Sequence, residues 1–189
     1  MAQPRPLGRG LEQLSRAFLT QEAPEQVESP RPEAAAAAPL LLLPPAQATR
    51  QRIVAALKGR AGGLEEGFRV LDEALPCEPC GQIDLLAVDG ANRLAVVDLE
   101  TAAADELLLR GLGHVDWMIG NVPLLRRLYR GTPINFSLPP RLILLAPAFS
   151  ARMRYAARQV ASPEIEWIRY HLVETPAGAG IFLERLPVE

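Results

Sequence analysis

The chain has 189 residues, a formal net charge of −2 at pH 7, 49% apolar residues and two cysteines. This length suits one domain of about 100–200 residues with additional segments, and the apolar content is sufficient for a core. The nearly neutral charge excludes a chain that is cationic throughout, but it leaves room for a local basic face. The first residues, MAQPRPLGRGLEQLSRAF, lack the continuous apolar run of a signal peptide. We therefore expect a cytoplasmic protein that does not span a membrane.

Two N-terminal segments are predicted to lie outside the folded domain. Residues 1–20 contain a short amphipathic helix over 7–19. Its apolar residues share one face; they are Leu7, Leu11, Leu14 and Phe18. A helix this short is marginal alone in water, so it docks either on its own domain or in a groove of a protein partner. Residues 21–48 contain six prolines and a run of five alanines, which predicts a disordered linker.

The predicted domain covers residues 49–189 and combines helical and strand-like patterns. Thr49 is the expected N-cap of a helix that ends near Arg60. The expected strands are 68–75, 83–88, 94–99, 142–146, 165–173 and 180–186, and the further helices are 102–119, 122–130 and 153–160. In the longest helix the candidate core residues are Leu107, Leu108, Leu112, Val115 and Ile119. This order predicts an α/β fold with a mixed central β-sheet flanked by helices, preceded by the disordered linker.

Three acidic residues lie in or next to two neighbouring predicted strands. A turn at 89–92 joins these strands as a hairpin. Asp84 lies inside the strand GQIDLLAV, and the next strand, LAVVDLE, ends in Asp98 and Glu100. Side chains alternate across a strand, so Asp98 and Glu100 share a face, and a short register brings Asp84 beside them. Three such carboxylates repel one another unless a cation neutralises them. The pattern predicts a site for Mg²⁺ or Mn²⁺; the alternative is a strand cap and solvated loop charges.

The same stretch carries a family resemblance. The sequence GQIDLLAVDGANRLAVVDLET resembles the core of the PD-(D/E)XK nuclease superfamily, especially its RecB-like and NucS-like branches. In that core a G-x-I-D-L-L strand is followed by a hairpin and by an apolar strand that ends in Glu-Leu-Lys. Upstream, LEEGFRVL at 64–71 resembles the helix end and first strand of the group, and 110–118 resembles its Gln-x-x-x-Tyr helix. The resemblance implies a restriction-endonuclease-like fold and metal-dependent hydrolysis of DNA phosphodiesters.

The resemblance also implies roles for particular residues. Asp84 matches the metal-binding aspartate of the second strand, and Asp98 matches the acidic residue of the (D/E)xK motif. Glu65 is the better match for the upstream acid, with Glu66 as the second choice. The resemblance thus implies Asp84 and Asp98 as metal ligands and Glu65 as a candidate catalytic residue; Glu100 joins the candidate metal ligands and catalytic residues from the strand pattern alone.

Three positions depart from the family pattern. Glu100 replaces the lysine that helps to position the attacking water, Arg110 replaces the glutamine, and His114 replaces the tyrosine. Lys58 is the only lysine in the chain, and arginine does not deprotonate in proteins. Two hypotheses remain: a weakly active, metal-dependent nuclease acting on DNA, or a degenerate nuclease fold that binds nucleic acid or protein.

Several basic residues are candidate nucleic-acid contacts. Arg110 and His114 lie one helical turn apart; Arg110 either contacts a phosphate or pairs with an acid, and His114 is either a base or ligand or a structural residue. The other candidates are arginines at helical spacing, which either contact phosphates or form a solvated face: Arg126, Arg127 and Arg130, and then Arg152, Arg154 and Arg158.

The two cysteines, Cys77 and Cys80, form a single CxxC motif beside two prolines. A structural zinc site needs four ligands, and both histidines of the chain lie far along the sequence. We therefore expect two reduced thiols in a turn, with a metal or redox module as the alternative.

Overall fold

The computed structural model describes residues 49–59, 64–175 and 178–187. The predicted N-terminal helix and linker, residues 1–20 and 21–48, lie outside these ranges. Within them, six strands form one sheet whose order follows the sequence, from β1 to β6. The strands are β1 (Arg69–Cys77), β2 (Gly81–Val88), β3 (Leu94–Leu99), β4 (Arg141–Ala146), β5 (Ile165–Thr175) and β6 (Gly178–Leu186). The helices are α1 (Arg50–Gly59), α2 (Glu106–Gly120), α3 (Val122–Leu128) and α4 (Ala151–Ala157).

The sheet is mixed because its connections are of two kinds. Short turns join β1, β2 and β3, and these strands are antiparallel. The connections through α2 and α3, and then through α4, bring β4 and β5 in parallel with β3, as crossover connections require. β6 then returns antiparallel to β5. The predicted α/β class, a mixed central sheet flanked by helices, is confirmed.

Both faces of the sheet are buried. Helices α2, α3 and α4 pack on one face, around Leu86, Val96 and Leu144. Helix α1 packs on the other face, around Leu85, Val97 and Leu145. All six residues of β4 are buried, as expected for a central strand with neighbours on both sides and helices on both faces.

The helices differ from their predicted bounds in ways that affect the core. Helix α2 begins at Glu106 rather than at residue 102. The face of this helix that packs on the sheet includes Met118, whereas Ile119 points away and has 55% of its surface exposed. The prediction of Ile119 as a core residue is therefore wrong. The Thr49 hydroxyl accepts a hydrogen bond from Arg52 N at 3.3 Å, which fits the predicted N-cap. In the described ranges, no helix combines the length and apolarity that a membrane crossing needs.

A glycine allows α2 to approach the sheet closely. A Cβ atom on Gly111 would lie only 2.8 Å from a methyl carbon of Leu142 and 3.1 Å from one of Leu144, both on β4. The close approach places the neighbouring residues of α2, Arg110 and His114, at the carboxyl end of β3.

Candidate functional site

The β2–β3 hairpin brings the three predicted acids to one end of the sheet. Its register pairs Leu85 with Val97, and one further step along the antiparallel ladder places Asp84 opposite Asp98. Glu100 follows β3 directly, and its backbone N–H donates to Leu145 O at 2.9 Å. The short register predicted from the sequence therefore places the acids as neighbours.

The Asp84 carboxylate is nearly buried and has two partners. It is 7% exposed, accepts a hydrogen bond from Leu99 N at 2.8 Å, and pairs with the guanidinium of Arg50 at the start of α1. Burial raises the pKa of Asp84 above its ordinary value, and the hydrogen bonds from Arg50 and Leu99 offset only part of that rise. The guanidinium of Arg50 thus stabilises the ionised form of Asp84.

Glu100 is also neutralised by arginine. Its side chain pairs with Arg110 of α2, and the Arg50 guanidinium lies 3.4 Å from the same carboxylate. Arg110 further donates to Leu99 O at 3.1 Å, and the Tyr170 hydroxyl donates to Glu100 O at 2.8 Å. Of the two alternatives for Arg110, the structure contains the pairing with an acid.

Asp98 turns towards α2 and is fully buried with His114. The carboxylate oxygen Oδ2 lies 2.7 Å from His114 Nδ1, and His114 Nε2 lies 3.1 Å from Cys80 O. A carbonyl only accepts, so Nε2 is the donor towards Cys80 O, and Nδ1 faces the Asp98 carboxylate. The other oxygen, Asp98 Oδ1, is buried without a hydrogen-bond partner. His114 therefore has a structural contact rather than an open position for a ligand.

The predicted metal site is not present in this arrangement. Among the described residues, no group of three or more histidine, cysteine, aspartate or glutamate side chains is arranged to hold a metal ion. Arg50 and Arg110 supply the positive charge that Asp84 and Glu100 need, and Asp98 faces His114 instead. As arranged, these side chains do not fit a divalent ion, and the binding of Mg²⁺ or Mn²⁺ at these residues stays a prediction.

The fourth predicted acid, Glu65, lies at the other end of the sheet. Its carboxylate is 2.6 Å from Arg141, the first residue of β4. In the sheet, the backbone of Arg141 lies opposite Ala95 at the start of β3. Asp98 lies three residues further along that strand, a distance of about 10 Å at the usual rise. The structure does not bring Glu65 to the other acids, because the loop before β1 ends beside β4 and β5.

The remaining predicted arginines lie in or next to α3 and α4, which pack on one face of the sheet. Residues 117–163 contain seven arginines and neither aspartate nor glutamate. Arg141 is buried and ion-paired. The other six have no carboxylate partner in the part of the chain that the structure describes; they are Arg126, Arg127, Arg130, Arg152, Arg154 and Arg158. We call these six the helical arginines.

A separate cleft opens on Asp84 from the opposite face. It has a volume of about 720 Å³ and is lined by α1, β1 and β2, including Arg50, Lys58, Glu73 and Asp84. Since α1 covers one face of the sheet and α3 and α4 cover the other, the helical arginines do not line this cleft.

Cys77 is the last residue of β1 and Cys80 lies in the β1–β2 turn, and both are free cysteines. Burial raises the pKa of Cys77 to about 12, so its thiol stays protonated at neutral pH. Cys80 packs against α2 at Gly113, where an added Cβ would lie 2.6 Å from Cys80 Sγ.

No protein-family model matches the chain, and no curated protein matches it in sequence. Similar solved structures exist. A repair endonuclease from Pyrococcus abyssi aligns with a TM-score of 0.49 at 17% identity, over 67% of this chain and 49% of that chain. An EndoMS–dsDNA complex aligns with a TM-score of 0.44 at 17% identity, over 70% and 49%. Pyrococcus furiosus SfsA in complex with Ca²⁺ gives a TM-score of 0.38 at 14% identity, over 72% and 64%.

The alignment spans only about half the length of the two endonucleases. Arg50 is the residue of this group that the sequence patterns missed: its only signal is its place in the first turn of α1, next to the predicted cap.

Proposed function

We propose that this chain is a nuclease-like domain that binds nucleic acid, with DNA favoured, through the helical arginines and does not hydrolyse it. The observation that carries the proposal is the charge of residues 117–163, which have seven arginines and no acid in a chain of net charge −2. Arginines without carboxylate partners are available to phosphates, and neutralising phosphates releases bound counterions. Contacts of this type fix position without reading sequence.

The separation of the two surfaces supports binding without hydrolysis. A hydrolase needs its bound phosphates beside its catalytic group. Here the helical arginines lie on the face of α3 and α4, whereas the cleft at Asp84 lies under α1 on the other face. In addition, Glu100 occupies the position of the family lysine and is itself paired with Arg110.

Binding is tested by fluorescence anisotropy with a short labelled DNA duplex over a range of salt concentrations. The variant Arg127→Ala/Arg130→Ala removes two helical arginines, and the matched control Arg69→Ala/Arg169→Ala removes two cations whose partners are Asn92 and Glu184. We expect affinity to fall and the slope of log K against log[salt] to flatten by roughly 2 in the first variant only.

Two results would contradict the proposal. Equal weakening in both variants would show that only net charge matters. No binding by the wild type at low salt would remove nucleic acid as the partner and leave the protein-binding alternative.

Metal-dependent hydrolysis is the second candidate, and one observation favours it. Asp98 lies near Asp84, and its oxygen Oδ1 is buried without a hydrogen-bond partner. This oxygen is therefore available to a ligand. The test is cleavage of single- and double-stranded DNA with Mg²⁺ or Mn²⁺, by the wild type and by Asp84→Asn. We expect none; cleavage that Asp84→Asn abolishes would establish hydrolysis instead.

A further inference from the structure

The β1–β2 turn brings the two cysteines of the chain close together. Cys77 ends β1, its backbone pairs with Gly81 at the start of β2, and Cys80 lies one residue before Gly81. A closed turn of four residues brings its first and last Cα atoms within about 7 Å, and a disulfide spans Cα atoms roughly 4.4–6.8 Å apart. The backbone of the turn therefore places the two cysteines within the range that a disulfide can span.

Both cysteine side chains lie on the face of the sheet that α2 covers. Cys77 belongs to the buried cluster on that face, and Cys80 packs against the same cluster. Burial is the main cause of the raised pKa of Cys77, and the charge of Cys80 and a hydrogen bond between the two side chains add to it. The two sulfur atoms therefore face one another within a single part of the core.

The two thiols differ in their access to solvent. Cys77 is fully buried, whereas Cys80 is only partly buried. A reagent in solution can therefore reach Cys80 but not Cys77, and Cys77 can react only with a sulfur that Cys80 brings to it. This asymmetry suits a stepwise exchange, in which an accessible thiol attacks first and a buried thiol completes the disulfide.

Cys80 also contacts α2 at two points. An added Cβ on Gly113 would lie 2.6 Å from Cys80 Sγ, so the sulfur fills the space directly above this glycine. The carbonyl oxygen of Cys80 lies 3.1 Å from His114 Nε2. The sulfurs of a disulfide are about 2.0 Å apart, which is much closer than two thiols in contact. Because Cys77 is fully buried in the core, a bond between the sulfurs must draw Cys80 Sγ away from Gly113.

We propose that Cys77 and Cys80 form a reversible thiol–disulfide pair whose oxidation changes the packing of α2 on the β1–β2 turn. The oxidant is a low-molecular-weight disulfide. The Cys80 thiolate attacks one of its sulfurs, and a small thiolate leaves with the electron pair of the broken S–S bond. Cys77 then loses its proton and attacks Cys80 Sγ, which releases the second small thiolate. The two protein thiols are thereby oxidised, the external disulfide is reduced, and the two protons end on the released thiols.

The test uses the full chain in mixtures of reduced and oxidised glutathione, followed by alkylation of free thiols and measurement of the intact mass. The wild type should pass from a form with two alkylated cysteines to a form that has lost two hydrogen atoms and carries neither an alkyl group nor glutathione. Dithiothreitol should restore the first form. These wild-type results do not depend on any variant.

Two single variants test the order of attack. Cys77→Ala should accumulate glutathione on Cys80, because no second thiol can displace it. Cys80→Ala should react with oxidised glutathione at least about tenfold more slowly than Cys77→Ala, because its remaining thiol is buried. Equal rates for the two variants would overturn the proposal.

The effect on α2 is measured by hydrogen exchange of the oxidised and reduced wild type. Amides of α2 near Gly113 should exchange at least about threefold faster in the oxidised form. Exchange in α1, on the opposite face of the sheet, should not change, and Cys77→Ala/Cys80→Ala treated in the same way controls for other effects of the oxidant.

Four results for the wild type would overturn the proposal. They are two free thiols at every glutathione ratio, a stable mixed disulfide with glutathione, a disulfide between two chains, and an oxidised form whose α2 amides exchange as they do in the reduced form.

Discussion

Removing the carboxylate of Asp98 should destabilise the domain strongly. Asp98 and His114 are both fully buried, and their side chains are 2.7 Å apart. Asp98→Ala leaves His114 Nδ1 in the core without a partner. His114→Ala leaves both oxygens of Asp98 without one, because Oδ1 has none in the folded chain.

The expected magnitude follows from these contacts. A buried polar group that loses its partner costs about 1–3 kcal/mol, and a broken buried ion pair costs about 3–5 kcal/mol. Since both partners are fully buried, we expect a loss of about 3 kcal/mol for Asp98→Ala. For a chain of this size that corresponds to a fall of roughly 6–12 °C in melting temperature. The double alanine variant should lose less than the sum of the single losses, by about 1–3 kcal/mol.

The assay is urea denaturation followed by tryptophan fluorescence. The control is Asp98→Asn, whose amide N–H can donate to His114 Nδ1 while Nε2 continues to donate to Cys80; we expect it to retain most of the stability. A second control is Asp116→Ala on the exposed face of α2. A loss below about 1 kcal/mol for Asp98→Ala, or additive single losses, would refute a coupled buried pair.

Three further outcomes are expected. Gly111→Ala should lower the unfolding free energy by about 1–2 kcal/mol, because overpacking against β4 outweighs the gain in helix propensity. The measurement is chemical denaturation, and the control is Gly120→Ala, whose added Cβ has no atom within 4 Å. Although burial acts to raise the pKa of Asp89, hydrogen bonds to its carboxylate lower it below the ordinary value. The contribution of Asp89 to stability is therefore present above the ordinary carboxyl pKa and lost as pH falls through the pKa of the folded state. Asp89→Asn should lower the free energy of unfolding more at about pH 7 than at about pH 3, and equal losses at the two pH values would contradict this. Glu100→Lys should lower the melting temperature more than Glu100→Gln, because it adds a cation beside two arginines, and it should not create cleavage activity with Mg²⁺.

The sequence was sufficient for features that depend on local pattern. Apolar runs and the turn at 89–92 predicted β2 and β3 within two residues of their observed ends. That hairpin alone determines that Asp84 and Asp98 are neighbours, because side chains in an antiparallel pair meet in register. The buried strand β4 was equally accessible, because the continuous apolar run 142–146 is typical of a strand buried on both faces.

Features that depend on tertiary packing were not accessible. No pattern indicates that Arg50, 34 positions before Asp84, pairs with it. Glu65 was placed by resemblance, and the resemblance does not fix where the loop before β1 crosses the sheet. The error at Ile119 is smaller: the stripe of α2 that faces the sheet runs through Leu107, His114 and Met118, so Ile119 lies beside it and is exposed.

The ion network around Arg141 has a consequence for the kinetics of folding. Arg141 is buried at the start of β4 and lies 2.6 Å from Glu65, 3.7 Å from Asp89 and 3.5 Å from Glu166. These carboxylates come from the loop before β1, the β2–β3 hairpin and β5, so they meet only when the whole sheet has assembled. Contacts between such distant segments form late. Contacts absent from the folding transition state slow unfolding without speeding folding, so this end of the sheet contributes to how long the domain stays folded.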